Sequence, residues 1–222
     1  MLRNTKSFDF IEYLANGSTN GQDEHLPSLE ALSAKHGVSI SVLREQLQVA
    51  RALGLVEVRP RTGIRRLPYS FAPAVRESLF YAVARDRHAF DQFADVRRHL
   101  ERAYWSEAVE KLTAEDISHL HSLVQRAEEL LQGDPIRVPH AEHRELHLTI
   151  FRHVQNPFVL GLLEAYWSAY EEVGLSRYAG IAYLKQVWAM HRRVVETIGA
   201  GDLALGQQIL NEHFDLIDKR PE

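Results

Sequence analysis

Between residues 26 and 67 the apolar positions recur first at helical and then at strand spacing. Pro27-Ser28 opens a helix, and Gly37-Val38-Ser39 makes a sharp turn into a second one. Ser39 can cap that second helix by accepting an orphan backbone N–H of its first turn. Leu43, Leu47 and Ala50 then stand at i, i+4 and i+7 as an inward stripe, while Ser41, Arg44, Gln48 and Arg51 form the opposite, polar face. Gly54 ends the helix, Val56-Glu57-Val58 alternates like a strand, and Arg59-Pro60-Arg61-Thr62-Gly63 turns the chain back. Upstream, Phe8, Ile11 and Leu14 predict a short amphipathic helix, followed by a polar loop over Asn16–Asp23. Helix, turn, helix and basic hairpin is the layout of a winged helix-turn-helix.

Beyond Leu67-Pro68-Tyr69-Ser70 and Pro73, which read as a linker, strand signals stop. Helical segments are expected at approximately 71–86, 88–111, 114–132, 135–154, 156–178, 180–198 and 202–218, broken at Gly133-Asp134-Pro135, Asn156-Pro157, Gly180 and Gly199-Ala200-Gly201. Short connections between long helices predict antiparallel neighbours. The expected fold is mainly α, with a winged helix-turn-helix over residues 1–68 and an all-helical antiparallel bundle over residues 69–222.

Charge separates these two parts. Val38 to Leu67 holds six Arg against two Glu, inside a chain of 222 residues with a formal net charge of −4. A solvated arginine face is the plain alternative, but a local excess of this kind is the electrostatic footprint of phosphate contact. The second helix would then enter a major groove, with Ser39, Ser41, Arg44 and Gln48 facing the duplex and Arg59, Arg61, Thr62 and Gly63 reaching it from the wing. Residues 71–222 carry seventeen basic and twenty-three acidic side chains, so the bundle needs another task. The absence of cysteine excludes disulfides and thiolate metal sites. No apolar run has the length of a signal peptide or a membrane span, so a soluble, cytoplasmic protein is expected.

Histidine supplies the candidate chemistry. His143 and His147 in AEHRELHLTIF stand at i and i+4, a spacing that lets two imidazoles share one metal. Twelve histidines in 222 residues give about 0.65 such pairs by chance, so a packed or solvated pair is the default reading. His191 and His213, on the last two expected helices, could face the first pair across an antiparallel hairpin.

Two resemblances sharpen this picture. The stretch LPSLEALSAKHGVSISVLREQLQVARALGLVEVRPRTGIRRL resembles the DNA-binding domain of GntR-type bacterial transcription regulators over about forty residues without a gap. Arg44, Arg59, Arg61 and Gly63 keep family positions, whereas Glu30 and Ile40 stand where many members carry a DNA-contacting Arg. Residues 71–222 resemble the FCD ligand-sensing domain of the FadR branch, through ADVRRHLE, HRELHLTIFRHVQNP, MHRRVVETIGAGD and NEHF. The resemblance implies a divalent metal held by His147, His191 and His213, with His143 replacing the family's aspartate. Four neutral imidazoles favour zinc, with nickel as the alternative. Such a site is expected to lose metal as pH drops through the histidine range near ~6.5. Arg97 matches the residue that would hold an effector carboxylate, although it could equally be an exposed partner of Glu101 four residues on.

The function implied is a homodimeric regulator that binds a palindromic double-stranded DNA operator and responds to a small organic acid at the metal. Two alternatives are a metal-dependent enzyme in a helical bundle, with zinc activating water, and a regulator that senses the metal itself.

Overall fold

The structure, a computed structural model, describes residues 8–17, 25–173 and 180–218. Most of the expected polar loop over Asn16–Asp23 and the end of the helix expected to reach residue 178 lie outside the described residues. The chain falls into two compact units, Met1–Glu77 and Ser78–Glu222.

In the first unit, α1 spans Phe10–Asn16, α2 Leu29–His36 and α3 Ile40–Ala52, followed by strands β1 (Val56–Arg59) and β2 (Gly63–Arg66). Each helix start is fixed by a side-chain cap. The Asp9 carboxylate accepts from the N–H groups of Ile11 and Glu12, Ser28 Oγ from Ala31, and Ser39 Oγ from Val42. Because Asp9 starts α1 at Phe10, the inward pair is Phe10 and Leu14, and Ile11 faces solvent, contrary to the stripe expected from Phe8, Ile11 and Leu14. Phe8 precedes the helix and packs its ring on His36, with centroids 4.4 Å apart. Gly37 takes a left-handed φ of 68° that closes α2 and permits the tight turn into α3. Leu43, Leu47 and Ala50 of α3 are buried with Phe10, Leu14, Leu32, Val56 and Ile64 in one core. Gln46 joins α3 to the start of α1, accepting from Phe10 N–H and donating to the Phe8 carbonyl. The strands pair antiparallel, Val56 opposite Arg66 and Arg59 opposite Gly63, so Pro60, Arg61 and Thr62 form the tip of the wing.

Helix α4 (Ala72–Arg85) carries the chain into the second unit, which continues as α5 (His88–Glu110), α6 (Ala114–Gln132), α7 (His140–Phe151), α8 (Pro157–Val173), α9 (Ile181–Ala200) and α10 (Leu203–Asp218). Their starts are again local chemistry. Thr113 and Asp116 form a reciprocal capping box for α6, the Asn156 side-chain Oδ1 accepts from the N–H groups of Phe158 and Val159 at the start of α8, and Asp202 caps α10 through Leu205. The helix expected from residue 135 begins at His140. Pro135 and Pro139 explain the delay, since each disfavours helix in the residue before it and removes a backbone donor. Helices α5 to α10 pack around a core that includes Trp105, Phe151, Trp188 and Phe214, and a smaller cluster joins Leu79 and Phe90 to Tyr166 and Trp167.

Helix α10 approaches closely at a glycine. A Cβ on Gly206 would stand 2.8 Å from Trp105 Cζ2 and 2.9 Å from Thr197 Oγ1. Trp105 is fully buried and donates its indole N–H to the Leu203 carbonyl at 2.9 Å, so it cannot step aside freely. Gly206→Ala gains roughly 0.5–1 kcal/mol of helix propensity but loses about 1–3 kcal/mol to overpacking, and the second effect wins. Urea unfolding should therefore show Gly206→Ala less stable than the parent, whereas Gly199→Ala, whose Cβ meets nothing nearer than 3.4 Å, should be as stable or more so. Equal stability in the Gly206 variant would refute the close approach.

Candidate metal centre and nucleic-acid interface

The residues expected to meet DNA are distributed along α3 and the wing. Ser39, Ser41, Arg44 and Gln48 are exposed, as are Arg59, Arg61, Thr62 and Gly63. Not all are equally available. The Ser39 hydroxyl is engaged as the cap of α3, and the Gln48 carbonyl accepts from Arg51. Arg59 pairs with Glu57 at 2.9 Å, and Glu57 is shared with Arg65 at 2.8 Å. Arg61 holds a left-handed φ of 69° at the wing tip, unusual for a side chain of this size. Glu30 has its carboxyl held below the ordinary range, chiefly by a backbone N–H at the start of α2, then by Ser28 and by the charge of Arg44. The family's arginine position is thus taken by an acid that feels Arg44.

In the second unit, His143 and His147 lie one turn apart on α7, His191 on α9 and His213 on α10. All four are buried, and one ligand nitrogen from each lies within 4.8 Å of the others. His147 Nε2 and His191 Nε2 are 3.3 Å apart. Two nitrogens each at 2.0–2.1 Å from one tetrahedral zinc would be separated by about 3.3–3.4 Å. His143 Nε2, His191 Nδ1 and both ring nitrogens of His213 are buried without a hydrogen-bond partner. A buried polar atom left unmatched costs its full desolvation, and one cation shared among the rings would answer one nitrogen of each. The donor set fits a borderline transition metal. Aromatic rings wall the cluster, with Trp167 stacked on His147 at 4.8 Å and edge-on to His143 at 4.7 Å, and Trp188 at 4.9 Å from His191.

The FCD domain, as a family, matches residues 92–216, a segment that contains all four histidines. The chain belongs to the FCD family. With the winged unit ahead of that domain, it is a GntR-type transcription regulator of the FCD branch, which displaces the enzyme alternative. Among solved structures, a Streptococcus agalactiae GntR protein aligns at 17% identity over 89% of this chain and 90% of that one, with a TM-score of 0.65. E. coli McbR/YncC aligns at 19% identity over 86% of each chain, with a TM-score of 0.51. Lar, which controls the expression of the Listeria monocytogenes agr system, aligns at 16% identity over 93% of this chain and 92% of its own, also with a TM-score of 0.51. At these identities the likeness is one of fold. No curated protein matches the sequence closely enough to count as a relative.

Burial sets the protonation of the FCD cluster. Desolvation pushes all four imidazoles below their ordinary value, reinforced by Arg97 and, for His143, His147 and His213, by neighbouring histidines; His191 falls to about 3 although Glu101 opposes the shift. The rings are therefore neutral, as metal ligands must be. In the unfolded chain they titrate near ~6.5, so below that pH the unfolded state takes up protons that the native state refuses. The stability contributed is present above about 6.5 and is lost as pH falls below it, for His191 through about 3.

Arg97 is also buried, not exposed as its plain alternative supposed. It does pair with Glu101, through Nε to Oε1 at 2.7 Å and Nη2 to Oε2 at 3.0 Å, with both side chains inside the domain. The guanidinium lies over the rings of Tyr166 and Trp167, each 4.8 Å from its carbon. The fork that would clamp an incoming carboxylate already holds one of the chain's own. Pattern located the i, i+4 partnership, but that spacing is the same on a wet face and a dry one, so the burial of Glu101 and the aromatic wall were not legible. Removing one member strands the other's charge: Arg97→Ala should lose about 3–5 kcal/mol in urea unfolding, and Arg97→Met with Glu101→Leu should recover most of it. A loss below about 1 kcal/mol in the single variant would place the pair in water.

Proposed function

We propose that this regulator binds a palindromic double-stranded DNA operator as a homodimer and carries one divalent ion per chain, zinc by preference and nickel as the alternative. His143, His147, His191 and His213 hold the ion. The observation that carries the reading is the set of buried, unmatched imidazole nitrogens in the FCD domain. Four imidazoles fill a tetrahedral sphere, so a Lewis-acidic ion held by them would take an oxygen ligand by expanding to five-coordination. Four neutral imidazoles leave the ion's charge uncompensated, and the charge of Arg97 is already matched by Glu101, so the excess that an effector would meet is the ion's own and the effector is a small organic acid. The acid group meets the ion, with Arg97 beside His147. Effector binding shifts operator affinity only as far as the two dimer arrangements differ in affinity for it. No helix among the described residues is long and apolar enough to cross a membrane, and work on an operator places the protein in the cytoplasm.

One observation favours a second reading, in which the metal itself is the signal: the Arg97 fork is filled by Glu101. Operator affinity that follows metal concentration, with no response to any small acid, would select it.

On the DNA side, Ser39, Ser41, Arg44 and Gln48 of α3 face the groove, while Arg59, Arg61, Thr62 and Gly63 contact the backbone from the wing. Arg44→Ala should weaken operator binding by roughly 1–3 kcal/mol if Arg44 reads a base edge. Arg61→Ala should weaken binding to all sequences alike and reduce the salt slope by about 1. Gel-shift titrations at two salt concentrations check both, and parental binding by both variants would refute the assignment.

On the metal side, elemental analysis should find about one divalent ion per chain, removable by a chelator. His147→Ala should lose most of it. His143→Asp should keep it but bind an anionic effector more weakly, because the carboxylate lowers the charge of the site by one unit. Thermal shift of the metal-loaded proteins with a panel of small carboxylic acids reads the second effect. A metal-free parent, or full occupancy in His147→Ala, would remove the site.

A further inference from the structure

Glu101 is fully buried at the histidine cluster. The other carboxylate among the buried charged side chains described, Asp116, is spent elsewhere, on Thr113, Arg152 and His153. Glu101 Oε2 stands 3.0 Å from Arg97 Nη2 and 3.3 Å from His147 Nδ1, so one oxygen faces both partners. Arg97 Nη2 is in turn 3.0 Å from His147 Nδ1 and 3.2 Å from its Nε2. An in-plane position so nearly equidistant from both nitrogens would drive the guanidinium into Cε1. Nη2 therefore lies over the ring face, where it leaves the in-plane hydrogen-bonding directions of the imidazole free. Beyond Arg97, the two ring nitrogens have different neighbours: Glu101 Oε2 lies 3.3 Å from Nδ1, and His191 Nε2 lies 3.3 Å from Nε2.

We propose that Glu101 is a positioning residue of the metal centre, accepting the Nδ1–H of His147 and thereby presenting that ring's Nε2 to the ion. A ligating histidine whose second ring N–H goes to a carboxylate is fixed in tautomer and orientation and is a more basic ligand. Here the carboxylate has a further consequence. The four imidazoles bring no charge and Arg97 brings a positive one, and Glu101 is the buried carboxylate that the described residues place at the cluster. Arg97 orders it by taking both oxygens in its fork. The pair is thus an outer layer of the metal centre, with His147 as the point of contact.

The inference rests on the metal reading, and the experiment separates the two. The full chain, labelled with nitrogen-15 and loaded with zinc, is examined by long-range proton–nitrogen NMR of its imidazoles. His147 is expected with its proton on Nδ1 and zinc on Nε2. Zinc affinity is then measured by competition with a chromophoric chelator, and Glu101→Gln should bind about 10–100-fold more weakly than the parent. A role confined to folding would lower the melting temperature of the metal-free variant and leave the zinc affinity of the folded protein unmoved, which would overturn the proposal. Zinc on Nδ1 of His147 in the parent overturns it as well, and this measurement stands even if Glu101→Gln does not fold. A parent that binds no zinc fails the metal reading itself, and this assignment with it.

Discussion

Six side chains that water would stabilise individually are held together out of water in this protein: four imidazoles, a guanidinium and a carboxylate. That constraint shapes the helical domain. Desolvation keeps the imidazoles neutral, which makes burying them tolerable and leaves their lone pairs available. The guanidinium cannot shed its proton, and burial pushes the Glu101 carboxyl toward its neutral form while Arg97 opposes that, so the two take each other and their bidentate geometry recovers part of the desolvation cost. Tyr166, Trp167 and Phe214 surround the guanidinium with ring faces, which favour a cation without requiring a formal charge. Helices α5, α7, α9 and α10 each contribute a member, so the cluster ties together segments more than a hundred residues apart.

The winged unit answers a different demand. Its core is small and wholly apolar, and its polar chemistry lies on the outside. Helix starts there rest on single oxygens of Asp9, Ser28 and Ser39, so the direction of α3 is set by local bonds before any duplex is present. Glu57 draws Arg59 and Arg65 onto one strand face, which keeps part of the wing's positive charge in register.

Much of this was legible in the chain because it depends on short-range chemistry. The caps at Ser28 and Ser39, the left-handed turn at Gly37 and the inward stripe of Leu43, Leu47 and Ala50 all follow from rules that act within a few residues. The same rules failed where one residue moved a boundary. Asp9 shifted the face of α1 so that Phe10 and not Ile11 turned inward, and two prolines delayed α7 to His140. The i, i+4 spacing of His143 and His147 gave a weak local signal, but the convergence of His191 and His213 on them, 44 and 22 residues further on, took its weight from the family's pattern. Whether the Arg97 face was wet or dry depended on α8 and α10 packing over it, which no spacing on α5 encodes.

Gly206 sits seven residues before His213, two turns down the same face of α10, and the backbone there is pressed against Trp105 and Thr197. The helix is thereby pinned at one end like a lever on a fulcrum. His213 stands about 10 Å along the arm, so a tilt of about 5° at the pin carries its ring by just under 1 Å. That is the scale on which a coordination sphere changes its shape. What the glycine permits, then, is a helix seated at a fixed depth, and that depth sets where the His213 ring stands.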